Sequence, residues 1–200
     1  MMIKLDIAKS YDKLNWKFME KMLEAYGFYQ GWVEWVMGLV TMPFFNILLS
    51  GSLTNTFHYF CGIRQGDPVS PFLFILMVGG LSHLIAAQAN RGEIRGLKVH
   101  DGSTPQTHQQ FIHDTTLMGN PLVQEAQSFK NSLDLFTKAS CLAINPNKSQ
   151  VFFVNTAPAT QRNILQILGF SKGAFPSKYL GSPWGWGGCR KSLGRNSWIK

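Results

Sequence analysis

Acidic residues run out early in this chain. Asp134 is the last of them, and Lys138, Lys148, Arg162, Lys172, Lys178, Arg190, Lys191, Arg195 and Lys200 follow with no carboxylate to offset them. Charge of either sign is scarce as well: Asp, Glu, Lys and Arg make up 15% of the residues, against about a quarter in an ordinary soluble domain. That shortfall suggests a piece of something larger. The net charge of +8 then points to a polyanionic partner, and the basic last third suits a phosphate backbone, where each neutralised phosphate releases a counterion.

Cysteine is nearly absent. Cys61, Cys141 and Cys189 are odd in number and far apart, which excludes a disulfide framework and a zinc spacing and points to a reducing, intracellular compartment, cytoplasm or nucleus. The first residues, Met1 to Asp6, offer no apolar run and no cleavage site, so they do not read as a signal peptide. No glycine-rich phosphate loop follows the first strand-like run, which argues against Rossmann and P-loop enzymes. His58, His83, His100 and His108 show no partner spacing, so a metal phosphohydrolase built around His113-Asp114 finds little support.

One long apolar run is present, from Pro68 to Ala87. Its length is near that of a membrane span, but prolines at its start and Gly79, Gly80, Ser82 and His83 within it favour a buried core helix. No membrane association is expected. Elsewhere the periodicities predict a buried strand from Ile3 to Ile7 and a helix from Asn15 that stops at Gly27. A second helix spans Trp32 to Val40. Phe44 to Leu49 and Thr56 to Phe60 read as two strands joined by a loop, Gly51 to Asn55. Strand and turn material follows from Leu97 to Met118. A helix spans Gln124 to Ala139, a strand Val151 to Val154, and a short helix Gln161 to Leu168, ended by Gly169. The Gly- and Trp-rich stretch from Trp184 onward lacks periodicity and reads as an irregular basic tail, residues 184–200. Interleaved elements of this kind predict an α+β fold, an antiparallel sheet with helices packed on one face.

Four polar segments interrupt these elements. Lys4-Leu5-Asp6-Ile7-Ala8-Lys9-Ser10-Tyr11-Asp12 places a carboxylate at the end of a strand and an aromatic ring five positions later. Gly62 to Phe72 is a polar turn feeding the apolar helix, whose free N–H groups attract anions; an ordinary loop with an N-cap would look the same. Gln109 to Met118 sets His113-Asp114 within a strand-like run, where acidic groups pair poorly. Ile144-Asn145-Pro146-Asn147-Lys148-Ser149 is followed later by Tyr179-Leu180-Gly181. Singly, each fits a capping Asp, a packing ring or a surface turn.

In this order and spacing the segments resemble the successive palm motifs of reverse transcriptases from LINE-type non-LTR retrotransposons, a group abundant in plant genomes. Gly62-Ile63-Arg64-Gln65-Gly66-Asp67-Pro68 is the most diagnostic stretch, and the resemblance covers residues 3–183, an expected palm-like domain of residues 1–183. It implies RNA-templated DNA synthesis from deoxynucleoside triphosphates on an RNA template and a DNA primer, by two-metal nucleotidyl transfer with Mg²⁺. No obligate protein partner is implied. By the resemblance, Asp6 and Asp114 are catalytic metal-binding carboxylates, with the backbone carbonyl of Ile7 beside them. Tyr11 lies under the incoming sugar as a gate against ribonucleotides, Gln65 and Gly66 touch nucleotide and template, and Arg64 supports them. Lys148 donates a proton to the leaving pyrophosphate, and Tyr179, Leu180 and Gly181 form the primer grip.

His113 departs from the pattern, standing where the family has the first Asp of the hairpin pair. An imidazole suits zinc, copper or nickel better than Mg²⁺, and its presence removes a negative charge beside two dications. The expected loss is at least ~4 kcal/mol of transition-state stabilisation, roughly a thousandfold in rate. Since the first motif begins within six residues of the start, the fingers that precede it, and the thumb, are expected to be missing. The chain by itself is therefore expected not to polymerise DNA, as a truncated and degenerate copy; the alternative is a non-catalytic basic nucleic-acid-binding relic.

Overall fold

A computed structural model describes residues 1–8, 11–98, 103–111, 114–175, 177–179 and 182–184. At its centre lies β1 (Met2–Ala8), with an alternating burial pattern. Successive side chains of a strand point to opposite faces, so Ile3, Leu5 and Ile7 enter the core while Lys4 and Asp6 share the other face. The predicted strand from Ile3 to Ile7 is present, one residue longer at each end.

Helices cover the Ile3–Leu5–Ile7 face. In α1 (Trp16–Ala25), Met19 and Leu23 are buried, and the Asn15 side chain accepts the Phe18 amide at 3.1 Å, filling one of the N–H groups a helix start leaves free. Gly27, at φ +82°, follows its end, as predicted. Val33 and Val36 are the buried residues of α2 (Gln30–Thr41). The apolar run forms α3 (Ser70–Asn90), long and apolar enough to cross a membrane by length and composition. One side of it is built into the core: Phe74, Met77, Leu81 and Ile85 are almost wholly buried, and it packs on α1 and on α4 (Val123–Ser140). Packed on α4 in turn is α5 (Pro158–Leu168), closed by Gly169 at φ +72°.

Six strands make the main sheet. Flanking β1 are β7 (Asp114–Met118) and β9 (Gln150–Phe152), with β6 (His108–Phe111) beyond β7 and β10 (Ser171–Lys172) beyond β9; β8 (Ala143–Ile144) pairs with the end of β1. Every pairing is antiparallel except β10 on β9. The α+β layout, sheet on one side and helices on the other, is the predicted one, with a parallel edge added by a two-residue strand too short to read from periodicity.

The stretch after α2 differs from its sequence reading. Instead of two strands and a loop it forms two nested rungs, β2 (Phe44–Phe45) with β5 (Phe57–His58) and, inside them, β3 (Leu48–Leu49) with β4 (Ser52–Leu53). Residues assigned to the loop thus supply the inner strand. Leu48, Leu49 and Leu53 are all more than half exposed, so no buried face marked the register. Beyond the main sheet, β11 (Ser177–Tyr179) and β12 (Ser182–Trp184) pair as a hairpin. The irregular tail predicted over residues 184–200 thus begins inside this hairpin, where Trp184 pairs with Ser177, and residues 185–200 lie outside the described residues.

Candidate functional site

Asp6 and Asp114 stand directly opposite one another across β1 and β7, both half-buried. The hydrogen-bond pattern fixes how closely they approach. Asp6 gives its amide to Ser149 Oγ at 3.1 Å, and its carbonyl accepts the Asn145 amide at 2.8 Å. Both backbone groups therefore point away from β7, which makes Asp6–Asp114 a non-hydrogen-bonded pair. In such pairs the Cα atoms come to about 4.5 Å and the side chains are closer than elsewhere in the ladder. Like charges in that position are unfavourable, and a cation between them is the natural offset.

Backbone groups alternate in direction along a strand. Ile7, the next residue, consequently turns its carbonyl toward the β7 flank, the side on which Asp114 begins its strand. Two carboxylates and one carbonyl are hard oxygen donors and fit a Mg²⁺ ion, which keeps several waters besides its protein ligands. Among the described residues no three His, Cys, Asp or Glu side chains gather into a metal-binding group. The position that would add another, His113, lies outside the described residues, between Phe111 and Asp114, which pair across β6 and β7.

Asn145 to Ser149 closes around the end of β1. The Asn145 side chain accepts the Asn147 amide at 3.1 Å, and its carbonyl accepts the Ser149 amide at 3.0 Å. This compact turn directs the wholly buried Ser149 inward to Asp6 and leaves Lys148 exposed at the rim. Sequence reasoning singled out Lys148; Ser149, the residue that holds the Asp6 backbone, was visible only as its neighbour.

A second group of residues lines a cleft. Tyr11, Asp12, Arg64 and Gln65 share it with Tyr59 and Cys61. The two loops that carry them are sewn together: Ile63 donates its amide to the Tyr11 carbonyl at 2.7 Å, Gly62 to the Leu14 carbonyl at 2.8 Å, and Trp16 Nε1 to the Gly62 carbonyl at 2.6 Å. Tyr11 lies stacked on Phe74 of α3, ring centres 5.1 Å apart. The Arg64 guanidinium sits over the Phe45 ring at 5.1 Å, a cation–π contact that fixes a side chain otherwise free in solvent. Gln65 Nε2 donates to Asp12 Oδ1 at 3.1 Å. Asp12 and Phe74 had no role in the sequence reading, although Asp12 ends its first motif.

The structure thus brings Asp6, Ile7 and Asp114 together, and separately Tyr11, Arg64 and Gln65. Gly66 is exposed at φ +86° and is not among the residues lining that cleft. Tyr179 ends β11, opposite Ser182; Leu180 and Gly181 lie outside the described residues.

Comparison with known proteins gives a consistent answer. A family model for reverse transcriptase (RNA-dependent DNA polymerase) matches residues 1–183. The Pol polyprotein of the type-1 retrotransposable element R2 of Popillia japonica is 32% identical over 40% of this chain. That of the type-2 element R2DM of Drosophila melanogaster is 26% identical over 88% of it. The matches span 13% and 17% of those two polyproteins. An apo telomerase structure from Candida tropicalis superposes on 74% of this chain, and 29% of its own, with a TM-score of 0.52 at 12% identity, a likeness of fold.

Proposed function

Since this chain belongs to the reverse transcriptase (RNA-dependent DNA polymerase) family, we propose that it carries the palm surface of an RNA-templated DNA polymerase whose own catalytic power is impaired at His113. The observation that carries the reading is the facing Asp6–Asp114 pair with the Ile7 carbonyl beside it. Asp6, Asp114 and that carbonyl would hold Mg²⁺. Bound there, the ion supplies activation of the primer hydroxyl and charge stabilisation for an in-line displacement.

The remaining roles belong to the chain's own side chains. Tyr11, held flat against Phe74, sets the floor on which the sugar of a deoxynucleoside triphosphate rests. Gln65 orients the nucleotide from the opposite loop, with Arg64 and Gly66 toward the template. Lys148 Nζ, at the exposed rim near Asp6, gives its proton to the departing pyrophosphate. The hairpin of β11 and β12, with Tyr179, Leu180 and Gly181, grips the primer. RNA template and DNA primer are the partners this reading requires.

An imidazole at position 113 leaves the site short of one carboxylate. Wild-type primer extension on an RNA template is expected to run about a thousandfold below the His113→Asp variant, both assayed with Mg²⁺ in one longer polypeptide carrying this domain. Asp6→Asn should abolish what remains. Wild-type extension equal to that of His113→Asp, and lost in Asp6→Asn, would sink the impairment. Metal binding can be read without activity, by Mn²⁺ broadening of backbone NMR signals, expected to be strongest around Asp6, Ile7 and Asp114 and to fade toward Met2. A second reading, a non-catalytic nucleic-acid-binding relic, is favoured by the net charge of +8 and the acid-free stretch after Asp134. Salt-sensitive RNA binding with no incorporation by His113→Asp would select it.

A further inference from the structure

The loops at residues 11–16 and 61–65 meet through backbone hydrogen bonds, but one contact between them joins two side chains, Gln65 Nε2 to Asp12 Oδ1 at 3.1 Å. An ionised carboxylate has acceptors alone, whereas a glutamine amide has two N–H donors at one end and a carbonyl oxygen at the other. The end of Gln65 that meets Asp12 must therefore be its nitrogen. Both side chains line the cleft floored by Tyr11, so which end of the amide is left over decides what the cleft offers a ligand.

We propose that Asp12 is a positioning residue, whose carboxylate turns the Gln65 amide so that its carbonyl oxygen is the atom presented to the cleft. In its choice of ligand the proposal rests on the nucleotide reading above; the contact itself does not. The cleft then offers an acceptor at that point and selects ligands that bring a donor to it, a sugar hydroxyl or a base N–H. Backbone contacts reinforce the geometry. The Asp12 carbonyl accepts the Cys61 thiol at 3.4 Å, and a Cβ at Gly62 would come within 2.7 Å of the Tyr11 and Asp12 carbonyls. These contacts hold the two loops together, with the Asp12 and Gln65 side chains both exposed at the cleft. Replacing Asp12 by Asn, which can donate or accept, leaves the spacing intact and removes the preference.

Two measurements on the 200-residue chain test the proposal. In ¹⁵N-resolved spectra the Gln65 side-chain NH₂ signals should move in Asp12→Asn and Asp12→Ala; signals that stay put overturn the proposal. Calorimetric titration with dTTP and Mg²⁺ should show Asp12→Ala and Gln65→Ala each weakening binding by roughly threefold to tenfold. The double variant should bind no more weakly than Gln65→Ala alone, because Asp12 acts through Gln65. Additive losses overturn the proposal and make Asp12 a merely structural residue. If the wild-type chain does not bind dTTP while the Gln65 amide still answers to Asp12→Asn, the nucleotide reading falls and the Asp12 assignment is supported.

Discussion

Gly62 tolerates no side chain. Its φ is +87°, and an added Cβ would sit 2.7 Å from two carbonyl oxygens, backbone atoms that cannot swing aside. Gly62→Ala should therefore destabilise the fold by about 2–4 kcal/mol, read as a lowered midpoint in urea. Gly66, also at positive φ but with open space around its Cβ, should lose about 1–2 kcal/mol, the strain component alone. His108 supplies a prediction of another kind. Burial holds its imidazole below the usual histidine pKa, so the unfolded chain takes up a proton more readily than the folded one. Its contribution to stability is full above the ordinary value near 6.5 and is lost as pH falls through the depressed one. Thermal melts between about pH 7 and pH 5 should show the wild type losing more than His108→Gln.

At the level of elements, helices were legible where a single stripe faces the core. Trp16, Met19 and Leu23 recur at helical spacing, and Asn15 and Gly27 bracket them as cap and stop. Asn15→Ala should cost about 1 kcal/mol, measured by chemical denaturation. The apolar helix was harder, because hydrophobicity all round does not say which side is inside. The structure answers with contacts: Phe74 is wholly buried beneath Tyr11, while Phe72 is 69% exposed. Phe74→Ala is expected to lose about 3–5 kcal/mol and to loosen Tyr11; Phe72→Ser should stay within about 0.5 kcal/mol. A membrane span would reverse that ranking, and chemical denaturation of the two variants settles it. Some of the short strands, β4, β8 and β10 among them, escaped the sequence reading. Two-residue strands such as β4 and β10 have no period to detect, and the register of β10 comes from β9, some twenty residues back along the chain. For the same reason the motifs named candidate residues but not that Ser149 and Asn145 hold Asp6, a contact spanning more than a hundred residues.

For the molecule as a whole, charge and register matter most. With +8 at neutral pH, binding to single-stranded RNA should weaken steeply with salt, log K falling with log salt by about 0.7 per phosphate contacted; a flat fluorescence-anisotropy series would remove nucleic acid from the list of partners. The central strand has a deeper consequence. Sliding β1 by one residue would turn Ile3, Leu5 and Ile7 out toward solvent, so the same greasy alternation that drives folding also checks that two acids arrive face to face. Mutation at position 113 touches none of that alternation. The scaffold that sets Asp6 against Asp114 is therefore inherited with the core, independently of which residue stands at position 113.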